Sequence, residues 1–314
     1  MTLPKAVELI EVGPRDGFQA EETFLPTELK VVTLKGLASA GLKTIEVTSF
    51  VHPKVIPQMV DAAQVMAAAR ELPGVHRLAL VPNLKGAERA LEAGAQGLRL
   101  VVCVTETYNR RNVGLSVQQS LDLFGEIVTR AHAAGATASA VLAVAFGCPF
   151  EGEVPIERVV ELARRFLDLG SDQLGLADSA GLGNPVQTRA LLRAVRPEIG
   201  DTSLWLHLHD TRGMALANTL VALEEGVTRF DTSLGGLGGC PIMRGATGNL
   251  ATEDLAYACR EMGIETGIDL DPLRQTSRRI QSFLGRPLAS RVLQAGTAEE
   301  VVARHRSEDG KEAS

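Results

Sequence analysis

Apolar and polar residues follow a repeating unit along this chain. A helix-like run ends in a small residue and a glycine, and an apolar run begins within a few residues. Glycine is common just past a helix end because it adopts a left-handed backbone at little cost. Each unit therefore predicts a helix, a glycine turn and a strand. The five clearest units are ASAGLKTIEV (38–47), LEAGAQGLRLVV (91–102), AHAAGATASAVLAV (131–144), LDLGSDQLGLAD (167–178) and LEEGVTRFDTS (223–233).

Three further apolar runs, at 6–12, 76–82 and 203–209, bring the predicted strands to eight. Eight strands that alternate with eight helices predict an α/β fold, a closed (β/α)8 TIM barrel. A doubly wound open sheet is the alternative. The predicted helices are 26–40, 57–71, 84–93, 116–134, 154–169, 184–196, 212–225 and 252–262.

The chain shows no internal linker rich in proline, glycine or serine, so we expect a single (β/α)8 domain over residues 1–300. Segment 265–295 predicts extra C-terminal helix packed on the barrel. Residues 301–314 are polar, and we expect them to form a disordered tail.

Composition narrows the function classes. The 314 residues are 45% hydrophobic, carry a net charge of −6 and include only 4% aromatic residues, so nucleic acid is not an expected partner. Four cysteines without paired spacing, and a start without a signal-peptide pattern, predict a cytoplasmic protein with reduced thiols. The uncharged stretch 133–150 is weakly apolar and contains Pro149, so we expect no membrane span.

Reactive side chains stand at the ends of five predicted strands. In a barrel of this type the carboxyl ends of the strands form the active-site mouth, so these side chains are expected to converge there. The last group lies on the glycine-rich segment SLGGLGGCPIMRGATGN (233–249). The full set is Arg15, Asp16, Glu46, Asp178, His207, His209, Cys240 and Asn249.

The run LWLHLHD (204–210) places two histidines two residues apart in a strand, and therefore on one face. Two imidazoles, a carboxylate and an amide oxygen form a mixed nitrogen and oxygen set without thiolate. Such a set suits Mg²⁺, Mn²⁺ or Co²⁺, and zinc is a further possibility. The alternative is a pair of hydrogen-bonded core histidines that bind no ion.

Four stretches resemble one enzyme family. EVGPRDGFQAE, IEVTSFVHPKVIPQM, LHLHDTRGMALANTL and GLGGCPIMRGATGNLATEDL are similar to motifs of the 3-hydroxy-3-methylglutaryl-CoA (HMG-CoA) lyases, which belong to the DRE-TIM metallolyases. The resemblance extends from about residue 6 to residue 292. It implies a lyase that uses Mg²⁺ or Mn²⁺ and cleaves an acyl-CoA by a retro-Claisen reaction to acetyl-CoA and a keto acid, acetoacetate for HMG-CoA.

The resemblance also implies roles for individual residues. Arg15 would stabilise the enolate oxygen, Glu46 and Asp178 would position the substrate hydroxyl and its base, and Cys240 would act as general acid and base. His207 would serve both the metal and catalysis. The implied metal ligands are Asp16, His207, His209 and Asn249, and the implied acyl-CoA contacts are Arg15, Gln19, Ser49 and Asn112.

Several neighbouring positions depart from the family pattern, and these changes put the acyl group in question. The substrate is then HMG-CoA or a related 3-hydroxyacyl-CoA. Two alternatives come from other classes. One is a condensing acyltransferase that runs similar chemistry in reverse, and the other is a barrel that binds metal and CoA without turnover. A homodimer and a place in leucine degradation are further expectations. The departing positions are Ala20, Gly175, Arg212, Met214, Ile242, Met243 and Gly285.

Overall fold

The computed structural model describes residues 3–239 and 247–312. Within them, eight parallel strands pair in chain order, and β8 pairs with β1 from Glu8 and Arg229 to Glu11 and Thr232. This pairing closes the sheet, which confirms the (β/α)8 barrel and excludes the open sheet. The strands are β1 (Glu8–Glu11), β2 (Thr44–Ser49), β3 (His76–Leu80), β4 (Gly97–Cys103), β5 (Thr137–Ala143), β6 (Gln173–Asp178), β7 (Ser203–Leu208) and β8 (Arg229–Thr232).

A helix follows every strand, as the sequence predicts. The helices are α1 (Thr27–Ser39), α2 (Ala62–Ala69), α3 (Leu84–Ala93), α4 (Glu106–Val113), α5 (Val117–Ala133), α6 (Ile156–Asp168), α7 (Pro185–Ile199), α8 (Ala215–Glu224), α9 (Thr252–Glu261), α10 (Leu270–Leu284), α11 (Arg291–Ala295) and α12 (Ala298–Glu312). Helix α4 was not predicted because its sequence, ETYNRRNV, is too polar to show an apolar face. Helix α2 begins later than predicted because Pro57–Met59 forms a separate 3₁₀ turn.

In each of the five repeating units, the glycine predicted to follow the helix adopts a positive φ angle, which confirms its place. Gly94 shows why the residue type is needed. Its φ is 103°, and a Cβ atom there would lie 2.7 Å from Cδ of Arg70. Side chains at the helix starts add caps: Asn83 accepts a hydrogen bond from the Gly86 amide, and Ser116 forms a reciprocal capping box with Gln119.

The C-terminal segment differs in part from the expectation. Helices α10 and α11 fall within the predicted helical segment 265–295. The segment predicted as a disordered tail contains instead most of helix α12. Its start is fixed by Glu300, which pairs with buried Arg274 at 2.7 Å and accepts a hydrogen bond from the Thr297 amide at 2.9 Å. Composition alone does not reveal this anchor because it depends on a contact between distant helices.

The barrel interior and its mouth position the site. Apolar side chains from several strands fill the interior, including Ile10, Leu78, Val141 and Trp205. The carboxyl ends of the strands open above this layer. None of the helices in the described residues is long and apolar enough to cross a membrane.

Candidate active site

Three potential metal ligands meet at the mouth of the barrel. Ligand atoms of Asp16, His207 and His209 all lie within 4.8 Å of one another. The two imidazole Nε2 atoms are 3.1 Å apart, and both side chains are at least nine-tenths buried. His207 lies in β7 and His209 directly follows it, and the two share one face because they are two residues apart. The turn Gly13–Gly17 after β1 brings Asp16 to them.

Asn249 completes the set through a β-bridge with His209. Its side-chain amide donates to Oδ2 of Asp16 at 2.7 Å and to the Leu237 carbonyl at 2.9 Å. Its Oδ1 atom is buried without a hydrogen-bond partner. Buried polar atoms are almost always paired, so an unpaired amide oxygen beside a carboxylate and two imidazoles fits a bound divalent cation.

The protonation states also suit a cation. Burial and the nearby His207 together lower the pKa of His209 to about 4, against the opposing charge of Asp16. Burial by itself raises the pKa of Asp16, but the charge of Arg15, together with the hydrogen bond from Asn249, holds it well below its usual range. His209 is therefore neutral and Asp16 ionised near pH 7, which are the forms that bind metal.

Arg15 lies between two carboxylates. It donates through Nε to Oε2 of Glu46 at 2.8 Å and pairs through Nη1 with Asp16. Burial lowers the pKa of Arg15, but Glu46 and Asp16 raise it above its usual value, so its charge is permanent. Oε1 of Glu46 is buried and has no hydrogen-bond partner. The site thus contains a fixed cation and a carboxylate oxygen with unused acceptor capacity.

Asp178 lies at the end of β6, beside β7, as predicted. Its two oxygens accept hydrogen bonds from the amides of Leu182 at 2.8 Å and Gly183 at 2.9 Å. Burial has the largest effect on the pKa of Asp178 and raises it above its ordinary value, although these two amides and the charge of Arg212 lower it. Asp178 therefore shapes the loop after β6, and its carboxyl takes up a proton more readily than an exposed aspartate does.

Besides Arg15, the three other expected acyl-CoA contacts are placed differently from one another. Gln19 has a buried Oε1 without a partner, and Ser49 is fully buried and accepts a weak hydrogen bond from the Val51 amide. Asn112 is exposed on α4, with Nδ2 3.7 Å from Sγ of Cys103. Gln19 and Asn112 follow the carboxyl ends of β1 and β4, and Ser49 is the last residue of β2.

Cys240, with Ile242 and Met243, lies outside the described residues. Arg212, which departs from the family pattern, donates from Nη1 to the carbonyls of Ala180 and Gly181 at 3.0 and 2.9 Å. It is therefore held against the loop after β6.

Sequence reasoning missed the residues that support the site. Asp231 of β8 accepts hydrogen bonds from His207 Nδ1, Trp205 Nε1 and Arg99 Nη1, all within 3.1 Å. A charged residue within a strand could have revealed them, since Arg99 interrupts the apolar run GLRLVVC and Asp231 lies within the strand RFDT. Isolated charges rarely occur at such positions unless they are paired.

Two more buried carboxylates hold the start of the glycine-rich segment. Glu11 accepts from the Gly13 and Leu234 amides and from the Thr252 hydroxyl, and burial raises its pKa to about 8. Glu253 accepts from the Gly235 amide and from the Ser277 hydroxyl, and burial raises its pKa to about 7. Neither was predicted, because their partners are brought together only by the closed barrel.

The chain is similar to known proteins over most of its length. A family profile described as HMGL-like matches residues 6–280. The mitochondrial hydroxymethylglutaryl-CoA lyase of Mus musculus is 43% identical over 294 residues, which cover 94% of this chain and 90% of that protein.

Solved structures show the same likeness. The HMG-CoA lyase of Bacillus subtilis superimposes with a TM-score of 0.91 at 43% identity, covering 94% of this chain and 99% of the other. An HMG-CoA lyase of Acinetobacter baumannii, in complex with coenzyme A and 3-methylmalate, gives a TM-score of 0.90 at 41% identity, covering 95% and 97%. From the profile match, the sequence identity and the shared barrel, this chain belongs to the HMG-CoA lyase family.

Proposed function

We propose that this protein cleaves HMG-CoA to acetyl-CoA and acetoacetate with the help of a divalent cation. The observation that carries the proposal is the convergence of Asp16, His207 and His209 next to the buried Arg15 guanidinium. The relatives named as HMG-CoA lyases, one of them bound to coenzyme A, support an acyl-CoA substrate.

The reaction requires three events at neighbouring atoms. A base removes the proton of the 3-hydroxyl, the electron pair of that O–H bond forms the ketone of acetoacetate, and the C2–C3 bond breaks. The electron pair of the broken bond becomes the enolate of acetyl-CoA, and an acid then protonates C2. No oxidant or second substrate is needed.

Asp16, His207, His209 and Asn249 would hold the cation, because they offer a carboxylate, two imidazoles and an unpaired amide oxygen. When bound, the cation supplies Lewis-acid stabilisation of charge on the substrate oxygens. Arg15 performs a similar function on the thioester side, since Glu46 and Asp16 fix its guanidinium in place and an enolate oxygen is negatively charged.

Proton transfers fall to the remaining mouth residues. Glu46 has a free carboxylate oxygen with which to orient the hydroxyl. Asp178, on β6 next to the histidine strand β7, has a raised pKa suited to proton uptake. The proton for C2 is assigned to Cys240 by its place in the family motif. Gln19, Ser49 and Asn112 are proposed contacts of the acyl-CoA.

Narrower features of this function are also proposals. The ligand set without thiolate favours Mg²⁺ or Mn²⁺ as the cation. We also propose that the protein has one catalytic domain, forms a homodimer, is located in the cytoplasm and takes part in leucine breakdown.

The test is a turnover assay on chelated and metal-restored protein. Acetyl-CoA and acetoacetate release from HMG-CoA is expected only when Mg²⁺ or Mn²⁺ is restored, and it should disappear in His207→Ala. The matched control is His132→Ala, since His132 is a half-exposed histidine on α5 that pairs with Asp172 away from the mouth. This control should retain full activity.

Two results would contradict the proposal. Full activity after chelation would show that the cation has no role. Release of free CoA from acetyl-CoA and a keto acid, without cleavage of HMG-CoA, would identify the condensing transferase instead. Cleavage of another 3-hydroxyacyl-CoA in preference to HMG-CoA would retain the chemistry and revise the substrate.

A further inference from the structure

We propose that Arg99, Trp205 and Gly175 form a support inside the barrel that fixes Asp231, and through it the metal-binding orientation of His207. The three are positioning residues, since none touches the substrate region itself. This inference rests on the proposed metal site, but its geometry lies below that site and is tested separately.

Asp231 is the link between the support and the site. It stands beside His207 in the register of β7 and β8, and its Oδ2 atom lies 3.1 Å from Nδ1 of His207. A carboxylate only accepts hydrogen bonds, so this contact places the imidazole proton on Nδ1. The lone pair of Nε2 then points toward His209 and Asp16, as metal ligation requires.

The Asp231 carboxylate is itself held on both oxygens. Nη1 of Arg99 lies 3.0 Å from each oxygen, and Nε1 of Trp205 donates to Oδ2 at 3.1 Å. All three side chains are almost completely buried. With these contacts the carboxylate has little freedom to rotate away from His207, and no water is needed to satisfy it.

Arg99 and Trp205 also hold each other. The guanidinium carbon of Arg99 lies 4.4 Å from the centroid of the indole ring, a cation–π contact in a desolvated layer. A buried ion pair is a weak source of stability because both charges lose their hydration. The pair of Arg99 and Asp231 is therefore better explained by the position that it gives Asp231 than by the stability that it adds.

Gly175 provides the space for this support. It lies beside Trp205 in the register of β6 and β7, and a Cβ atom at Gly175 would be 2.5 Å from Cε2 and Cζ2 of the indole. Any larger residue would push the indole from its place. The glycine at this position departs from the family pattern, and the indole accounts for the departure.

The first experiment reads the proton on His207 directly. NMR of the metal-free full-length protein labelled with ¹⁵N-histidine is expected to show the Nδ1–H form of His207 in the wild type. Asp231→Asn is expected to raise the share of the Nε2–H form, because a neutral amide oxygen is a weaker acceptor for the Nδ1 proton than a carboxylate. A Mn²⁺ titration followed by EPR is expected to show about 10- to 100-fold weaker binding in Asp231→Asn, and a smaller loss in Trp205→Phe, which lacks the N–H donor.

The matched control is Val141→Ala, which removes packing in the same interior layer and changes a side chain without polar atoms. It should lower stability while leaving the His207 tautomer and the Mn²⁺ affinity unchanged. If Asp231→Asn does not fold, Arg99→Met/Asp231→Asn removes both charges and is expected to show the same tautomer change and weak binding.

Gly175 allows a rescue test. Gly175→Ala should weaken Mn²⁺ binding when Trp205 is present, and it should add no further loss in Trp205→Ala, where the ring is absent. An unchanged His207 tautomer and Mn²⁺ affinities within twofold across these variants would overturn the support. The tautomer is measured without metal and without substrate. A failure of this inference can therefore be told apart from a failure of the proposed lyase function.

Discussion

Two groups of buried polar side chains lie a few residues apart in this barrel, and they differ in how fully they are paired. Glu11 and Glu253, beneath the turn after β8, accept hydrogen bonds on every carboxylate oxygen from amides and hydroxyls. At the mouth, Oδ1 of Asn249, Nδ1 of His209 and Oε1 of Glu46 are buried without partners.

This difference separates side chains that stabilise the fold from side chains that bind a ligand. A buried polar atom without a partner is costly, so it persists where something other than stability is served. Each oxygen of the carboxylates beneath the turn already accepts a hydrogen bond, so none is left to bind a ligand. The mouth retains unpaired acceptor atoms on Asn249 and Glu46, and the ligand atoms of Asp16, His207 and His209 lie close together, as a bound cation and substrate require.

Removing a mouth ligand should give the largest effect and separate activity from stability. Asp16→Ala is expected to reduce the rate of HMG-CoA cleavage on the order of 10³-fold, since a bound cation supplies several kcal/mol of transition-state stabilisation. The free energy of unfolding should change by less than about 1 kcal/mol. Steady-state kinetics and urea unfolding measure the two quantities. A fall in the free energy of unfolding as large as the loss of transition-state stabilisation would show that the mouth residues stabilise the fold like the carboxylates beneath the turn.

The opposite pattern is expected beneath the turn. Glu11→Ala leaves the Gly13 and Leu234 amides and the Thr252 hydroxyl without their acceptor, so the free energy of unfolding should fall by about 2–4 kcal/mol. Urea unfolding measures it, with Thr219→Val as the control for loss of a buried hydroxyl elsewhere, on α8. A stability equal to that of the wild type would show that these hydrogen bonds are not needed.

The same carboxylates predict a pH dependence. Their pKa values, about 8 for Glu11 and about 7 for Glu253, lie above the ordinary glutamate value, so the folded state binds protons more tightly than the unfolded state. Their contribution is complete below about pH 4 and is lost as the pH rises toward 8. Urea unfolding from pH 5 to 8 should show falling stability, and Glu11→Gln should flatten the slope by about 1 kcal/mol per pH unit. A slope unaffected by Glu11→Gln would contradict the assignment.

Exposed charges belong to neither group and should matter least. Glu299 pairs with Arg260 at 2.9 Å, but two-thirds of the Glu299 side chain is exposed. Glu299→Ala should therefore change the free energy of unfolding by less than about 0.5 kcal/mol and leave cleavage unchanged. A loss above 1 kcal/mol in thermal or urea unfolding would show that α12 depends on this pair.

The sequence predicted the features that depend on local pattern. Strand and helix periodicity, the glycines after helices and the spacing of His207 and His209 are local, and the structure places them as expected. The support of Arg99, Trp205 and Asp231 depends on contacts across as many as 132 positions of sequence, so no local pattern contains it. Helix α4 was missed because its polar sequence lacks an apolar face.

Pulsed EPR of Mn²⁺ bound to the full-length protein with ¹⁵N-labelled histidines tests the central claim most directly. Hyperfine coupling to two imidazole nitrogens is expected, reduced to one in His209→Ala, because His207 and His209 both direct Nε2 to the same point. Bound Mn²⁺ without any histidine coupling would place the ion elsewhere and contradict the mouth as the metal site.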